Sequence, residues 1–148
     1  EISRACVGCP PGSVVVGAPP TAICVRCAPG TAVNMSTAPA QCSPCVRGTF
    51  AADSGAMSCT ECVPGRYAEQ AGTDRCMECP AGFYQDQSGA SDCTMCSDGL
   101  HCPVAARAPA ANPGYFMNQD GLVAPCPHEA GCLGENACAW PATGTMCG

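Results

Sequence analysis

The sequence predicts a small, disulfide-rich fold, an elongated tandem array of short β-hairpin repeats with little helix. Three observations predict it. Six Cys-x-x-Cys pairs recur at Cys6/Cys9, Cys24/Cys27, Cys42/Cys45, Cys59/Cys62, Cys76/Cys79 and Cys93/Cys96, at intervals of 18, 18, 17, 17 and 17 residues. A glycine follows the first cysteine of each pair by six residues, at Gly12, Gly30, Gly48, Gly65, Gly82 and Gly99. Cysteine supplies 17 of 148 residues, above the roughly 8–10% that marks a disulfide scaffold in a secreted chain. Self-similarity at a fixed period means an array of small units, each contacting mainly its neighbours.

Composition explains why bridges are needed. Only seven residues are aromatic, and much of the apolar fraction is alanine, valine and cysteine. A unit this short cannot offset its ordering entropy by hydrophobic burial alone. A bridge closing a loop of about 15 residues contributes on the order of 3 kcal/mol in the chain-entropy model. The 17 glycines and 15 prolines suit a path of turns and short strands.

The formal charge is −6, and all six basic residues are scattered arginines. No basic stripe exists, which argues against nucleic acid as a partner. Mild acidity suits a solvated surface. No apolar run approaches membrane-spanning length, so no membrane contact is expected of this segment. No signal peptide is visible. The odd cysteine count leaves one thiol without a partner. All of this fits a segment of a longer secreted or membrane-anchored protein.

Each unit justifies its elements in order. Pro10-Pro11-Gly12, Ala28-Pro29-Gly30, Val46-Arg47-Gly48, Val63-Pro64-Gly65, Pro80-Ala81-Gly82 and Ser97-Asp98-Gly99 follow the second cysteines. Proline presets φ for a turn and glycine permits positive φ, so a reversal follows every pair. Two residues past each glycine stand Val14, Ala32, Phe50, Tyr67, Tyr84 and His101. An aromatic there can cover the adjacent disulfide; packing is favoured over a ligand-binding ladder. A second turn is expected at Gly55, Gly72 and Gly89. Read as calcium loops, these offer too few carboxylates.

The intervening 14 or 13 residues suffice for two short strands and a turn. The simplest connectivity joins the second cysteine of one pair to the first of the next. It gives Cys9–Cys24, Cys27–Cys42, Cys45–Cys59, Cys62–Cys76 and Cys79–Cys93. Other pairings stay open, since even six cysteines allow 15. In this register Cys6 pairs upstream of the chain, and Cys96 has Cys102 six positions on. Two regions follow: repeats over 1–101, and a spacer plus a small cysteine-rich module over 102–148. Val104 to Pro113 reads as an Ala/Pro spacer, with Pro109 and Pro113 interrupting helix. Then come Cys126, Cys132, Cys138 and Cys147.

Cys76-x-x-Cys79-Pro80-Ala81-Gly82-Phe83-Tyr84, closing at Cys93-x-x-Cys96, resembles the ephrin-receptor-like cysteine-rich repeat; Cys59 to Cys79 is nearly as good a copy. The one-disulfide modules of tumour-necrosis-factor receptors are similar. Val14, Ala32 and His101 depart by replacing the aromatic. The tail resembles the segment after such repeats in large protist surface proteins. Its Cys138-x8-Cys147 stretch is similar to the last loop of an EGF-like domain, which implies a Cys138–Cys147 bridge. Gly144 matches that loop's second glycine, but Pro141 replaces the first. The resemblance implies extracellular, tandem, disulfide-linked rods without catalytic activity.

Paired Cys-x-x-Cys motifs also suit zinc ribbons. The uninterrupted, even phasing argues for bridges, as does the Asn34-Met35-Ser36 sequon. Six pairs in turns do not suit thioredoxin-like redox work, which uses one activated pair. His128, between Cys126 and Cys132, is the sole hint of a mixed metal site. No Ser/His/Asp set, phosphate loop or paired carboxylates stand out, so no catalytic residue, cofactor or metal is expected. The expected partners are other protein chains or further repeats of the same protein, with an N-linked glycan on Asn34. The expected location is extracellular or cell-surface. The expected function is that of a structural rod in a surface coat or flagellar-hair fibre. The alternative is the ligand-binding ectodomain of a membrane receptor or channel-like protein.

Overall fold

The structure is a computed structural model that describes residues 8–118, 121–126, 132–134 and 137–138. Among the described residues every regular element is a strand, and every sheet is an antiparallel pair of consecutive strands. The first two hairpins are the longest. They pair β1 (Ser13–Val16) with β2 (Ile23–Arg26), and β3 (Thr31–Asn34) with β4 (Gln41–Pro44), in four-residue registers.

Two-residue pairs follow: β5 (Thr49–Phe50) with β6 (Thr60–Glu61), β7 (Arg66–Tyr67) with β8 (Met77–Glu78), and β9 (Phe83–Tyr84) with β10 (Thr94–Met95). β11 (Leu100–His101) pairs with β12 (Ala110–Ala111), and β13 (Tyr115–Met117) with β14 (Val123–Pro125). An eighth hairpin joins β15 (Cys132–Gly134) to β16 (Ala137–Cys138). No helix of the described residues is long and apolar enough to cross a membrane.

One hydrogen bond closes each of the first seven hairpins. The N–H groups of Cys27, Cys45, Cys62, Cys79 and Cys96 donate to the carbonyls of Gly12, Gly30, Gly48, Gly65 and Gly82 at 2.9–3.0 Å. Asn112 donates to Gly99, and Cys126 to Gly114, at 2.9 Å. Asn112 thus takes the place of a second cysteine. The Val104 to Pro113 stretch is therefore not a spacer. Ala106 and Ala111 are buried, and the stretch completes the sixth hairpin. Alanine and proline here serve a compact turn rather than a linker.

Backbone bonds also join one hairpin to the next. The N–H groups of Gly30, Gly48, Gly65 and Gly82 donate to the carbonyls of Ala51, Ala68, Gln85 and Cys102 at 2.7–2.9 Å. In the same direction Val33, Ala51, Ala68 and Gln85 donate to Ala56, Thr73, Ala90 and Ala106 at 3.0–3.3 Å. A third set skips a hairpin. Gly55, Gly72, Gly89 and Ala105 donate to the carbonyls of Cys27, Cys45, Cys62 and Cys79 at 2.7–2.9 Å. The second to sixth hairpins are therefore bonded neighbour to neighbour, and the first to sixth are bonded to the neighbour but one. This is more than the nearest-neighbour contact that the repeat period alone implies.

The core follows this ladder. Its largest fully buried side chains are Cys27, Cys45, Cys62 and Cys79. Around them lie Ala32, Ala51, Ala68, Cys102, Ala106 and Ala111. Phe50, Tyr67 and Tyr84 are only half-buried. Close backbone approach leaves room at the centre for sulfur and methyl groups, and pushes rings to the flank. Gln85, the buried polar residue in this series, is satisfied locally. Its Nε2 donates to the Asp92 carbonyl at 2.9 Å, and its Oε1 accepts from the Gln87 N–H at 2.9 Å.

Ala105 tests the third set of bonds. Among the described residues it is the non-glycine residue at positive φ, at 59°, where the preceding repeats carry Gly55, Gly72 and Gly89. Left-handed geometry crowds its Cβ against the following carbonyl. Ala105→Gly is expected to raise stability by roughly 0.5–1 kcal/mol, read as a shift of the denaturant midpoint with the bridges intact.

Candidate interaction surface and its disulfide ladder

The structure joins Cys9 to Cys24, Cys27 to Cys42, Cys45 to Cys59, Cys62 to Cys76 and Cys79 to Cys93. These are the pairs of the simplest forward register. Their Cα–Cα distances run from 5.4 to 5.9 Å, the usual range for a bridge. Cys96 bonds Cys102, with Cα atoms 6.5 Å apart. The two ends of a bridge differ in setting: Cys27, Cys45, Cys62 and Cys79 are buried in the ladder while their partners Cys42, Cys59, Cys76 and Cys93 lie nearer the surface, and in the last bridge Cys102 is the buried end. Cys126 is also disulfide-bonded. Cys6, His128, Gly144 and Cys147 lie outside the described residues, and so does the bridge expected between Cys138 and Cys147.

These sulfurs are committed to bridges, so the paired cysteines offer no thiolate to a metal. Among the described residues no group of three or more His, Cys, Asp or Glu is placed to hold one. His101 is exposed on β11 opposite Ala110.

What remains for recognition is the flank of the array. Cross-strand pairing puts Met77 opposite Tyr67 and Met95 opposite Phe83, and both methionines are exposed. Arg66 Nη2 and Glu78 Oε1 pair across β7 and β8 at 2.6 Å, each about half exposed; such pairs stabilise little. Arg75 donates to Asp74 through Nε at 3.2 Å. That hydrogen bond, with the guanidinium charge, holds the Asp74 carboxyl below its usual range and Arg75 above its own. Both groups are fully solvated neighbours in sequence, so the pair marks surface rather than a site.

Two open apolar hollows lie along the first three hairpins. One, of about 440 Å³, is lined by Val14, Val15, Val16, Val25, Pro39 and Ala40 among others. The second, of about 430 Å³, runs past Asn34, Met35, Pro44, Val46 and Met57. Met57 is held there because its Sδ accepts the Gly12 N–H at 2.9 Å.

Asn34 closes β3 and is half-buried rather than fully exposed. Its Oδ1 accepts the Ser36 N–H at 2.9 Å, and its Nδ2 donates to Ser43 Oγ at 3.3 Å. The sequon therefore forms a local Asx turn at the end of a strand.

No curated protein matches this chain. A family model described as tyrosine-protein kinase ephrin type A/B receptor-like matches twice, over residues 30–74 and 65–106. Together the matches span just over half the chain, and they cover the hairpins with the regular ladder. Repeats of this kind form extracellular, disulfide-rich modules and are typically non-catalytic. On the repeat, its bridges and this match, the chain belongs to the ephrin type A/B receptor-like family.

Proposed function

We infer that this chain is an extracellular structural and interaction segment: a disulfide-stapled rod within a larger surface or fibre-forming glycoprotein, such as a cell-coat or flagellar-hair component. The two-step backbone ladder is the observation that carries this reading. Bending anywhere between the second and the sixth hairpin has to break bonds to the neighbour and to the neighbour but one. Two-residue strands could not give stiffness by themselves. Small-angle scattering of the oxidised chain should give a rod-like profile, with a maximum dimension that grows linearly in variants carrying extra copies of 45–96. A compact or flexible-chain profile would overturn the reading.

Its partners are other protein chains or further repeats of the same protein, and an N-linked glycan on Asn34. Attaching a sugar to Nδ2 replaces one of two amide hydrogens, so the bond to Ser43 Oγ can persist. Peptide mass spectrometry of secreted material should find Asn34 glycosylated, and Ser36→Ala should abolish the modification. Unmodified Asn34 in all secreted protein would remove the glycan from this proposal. The second reading, a ligand-binding ectodomain, draws on the two apolar hollows beside the first three hairpins.

A further inference from the structure

We propose that the exposed face of Gly82 is a docking notch for a second copy of this chain, filled by that copy's Gly121 turn. The chain itself supplies four templates for such a contact. Gly55 lies over Gly12, Gly72 over Gly30, Gly89 over Gly48 and Ala105 over Gly65. Each contact has two parts. The second-turn residue donates its N–H to the cysteine carbonyl at the foot of the hairpin. Its own carbonyl then lies so close to the turn glycine that a Cβ there would overlap it.

The next member of the series is Gly82, with the Cys96 carbonyl. Gly82 has φ +88°, matching +78° to +86° at Gly12, Gly30, Gly48 and Gly65. Its hairpin bond is in place, with Cys96 N–H donating to the Gly82 carbonyl at 2.9 Å. Its neighbour bond is in place too, from Gly82 N–H to the Cys102 carbonyl. Yet among the described residues nothing lies within 4 Å of the position a Cβ would take. The notch is built like its four counterparts, and no described residue takes the place of the turn that fills them.

The residue in register for it is Gly121. It stands seven positions past Gly114, as Gly55, Gly72 and Gly89 stand seven past Gly48, Gly65 and Gly82. Its φ is +80°, and it is exposed. Within one molecule the two do not meet, and Gly121 N–H donates to the Asn118 carbonyl instead. Gly99 to Gly114 spans 15 residues, against 17 or 18 between the earlier turn glycines. The Tyr115 ring also covers Gly99, at 2.7 Å from the Cβ position. The seventh hairpin is thereby carried out of the ladder's phase, which leaves a vacant notch and an exposed matching turn on one chain.

Two copies satisfy both by exchanging Gly121 turns about a twofold axis, each notch taking the partner's turn. The contact is small, so the association is weak and reversible. This goes beyond the rod reading and requires only the oxidised array.

Sedimentation velocity of the oxidised full chain over a wide concentration range tests it. Wild type should pass from monomer to dimer. Gly82→Asn keeps a residue that tolerates positive φ and puts a side chain into the notch; it should weaken dimerisation at least tenfold. Gly17→Asn, at a positive-φ glycine away from the notch, should leave dimerisation unchanged. Circular dichroism and non-reducing peptide maps of all three should coincide, which separates lost docking from misfolding. A monomer at every concentration, or a dimer indifferent to Gly82→Asn, overturns the proposal.

Discussion

Gly48→Ala is expected to lower stability by about 3 kcal/mol or more, whereas Gly82→Ala is expected to cost only about 1 kcal/mol. Both glycines have positive φ, at +81° and +88°, so both pay the left-handed penalty. They differ in what a methyl group would meet. At Gly82 it meets nothing, but at Gly48 it would overlap the Gly89 carbonyl. Gly89 cannot easily retreat, because its N–H is bonded to the Cys62 carbonyl at 2.8 Å and the Glu61 side chain packs over it. Moving Gly48 instead breaks its own bond to Ala68. Guanidinium unfolding of the two variants with bridges intact gives the comparison. Equal losses at both sites would mean that the skip-one contacts carry no energy. Gly65→Val belongs with Gly48, since Ala105 stands over Gly65 in the same way.

The frame of this fold was legible because cysteine and glycine are specific about geometry. The phased pairs gave the unit length, and glycine after each pair marked a positive-φ turn; Gly12, Gly30, Gly48, Gly65, Gly82 and Gly99 all have one. The core was less legible. Ala51, Ala68 and Cys102 stand three residues past their turn glycines and are buried, while the rings at Phe50, Tyr67 and Tyr84 look the better core candidates on size. Small residues at that register were the available signal, but alanine is common enough to pass unnoticed. The skip-one bonds were not legible at all, because they join backbone to backbone and ask of the sequence only that no Cβ intervene. The sixth unit shows the same limit. Its Cys96–Cys102 bridge was legible in the six-residue spacing, but nothing marked Asn112 as the residue that makes the hairpin-closing bond a cysteine makes elsewhere.

Full reduction is expected to unfold the array, while a metal chelator leaves it unchanged. The hairpins from β5 to β12 hold only two residue pairs each, and an isolated two-stranded hairpin is marginal in water. Their burial comes largely from the bridged sulfurs of Cys45, Cys62 and Cys79, so breaking a bridge removes core packing along with the constraint. The loss should be graded by loop length. Cys62–Cys76 has a sequence separation of 14 and Cys96–Cys102 one of 6. In the chain-entropy model these correspond to about 3 and about 2 kcal/mol. Removing the longer bridge by Cys62→Ala with Cys76→Ala should therefore cost more than the matching change at Cys96 and Cys102. It should also expose the Gly89 N–H to exchange, because that group is bonded to the Cys62 carbonyl. Circular dichroism in reductant and in chelator separates bridges from metal. Retained structure in reductant, or stoichiometric zinc with collapse in chelator, would mean that thiolates hold the repeats together.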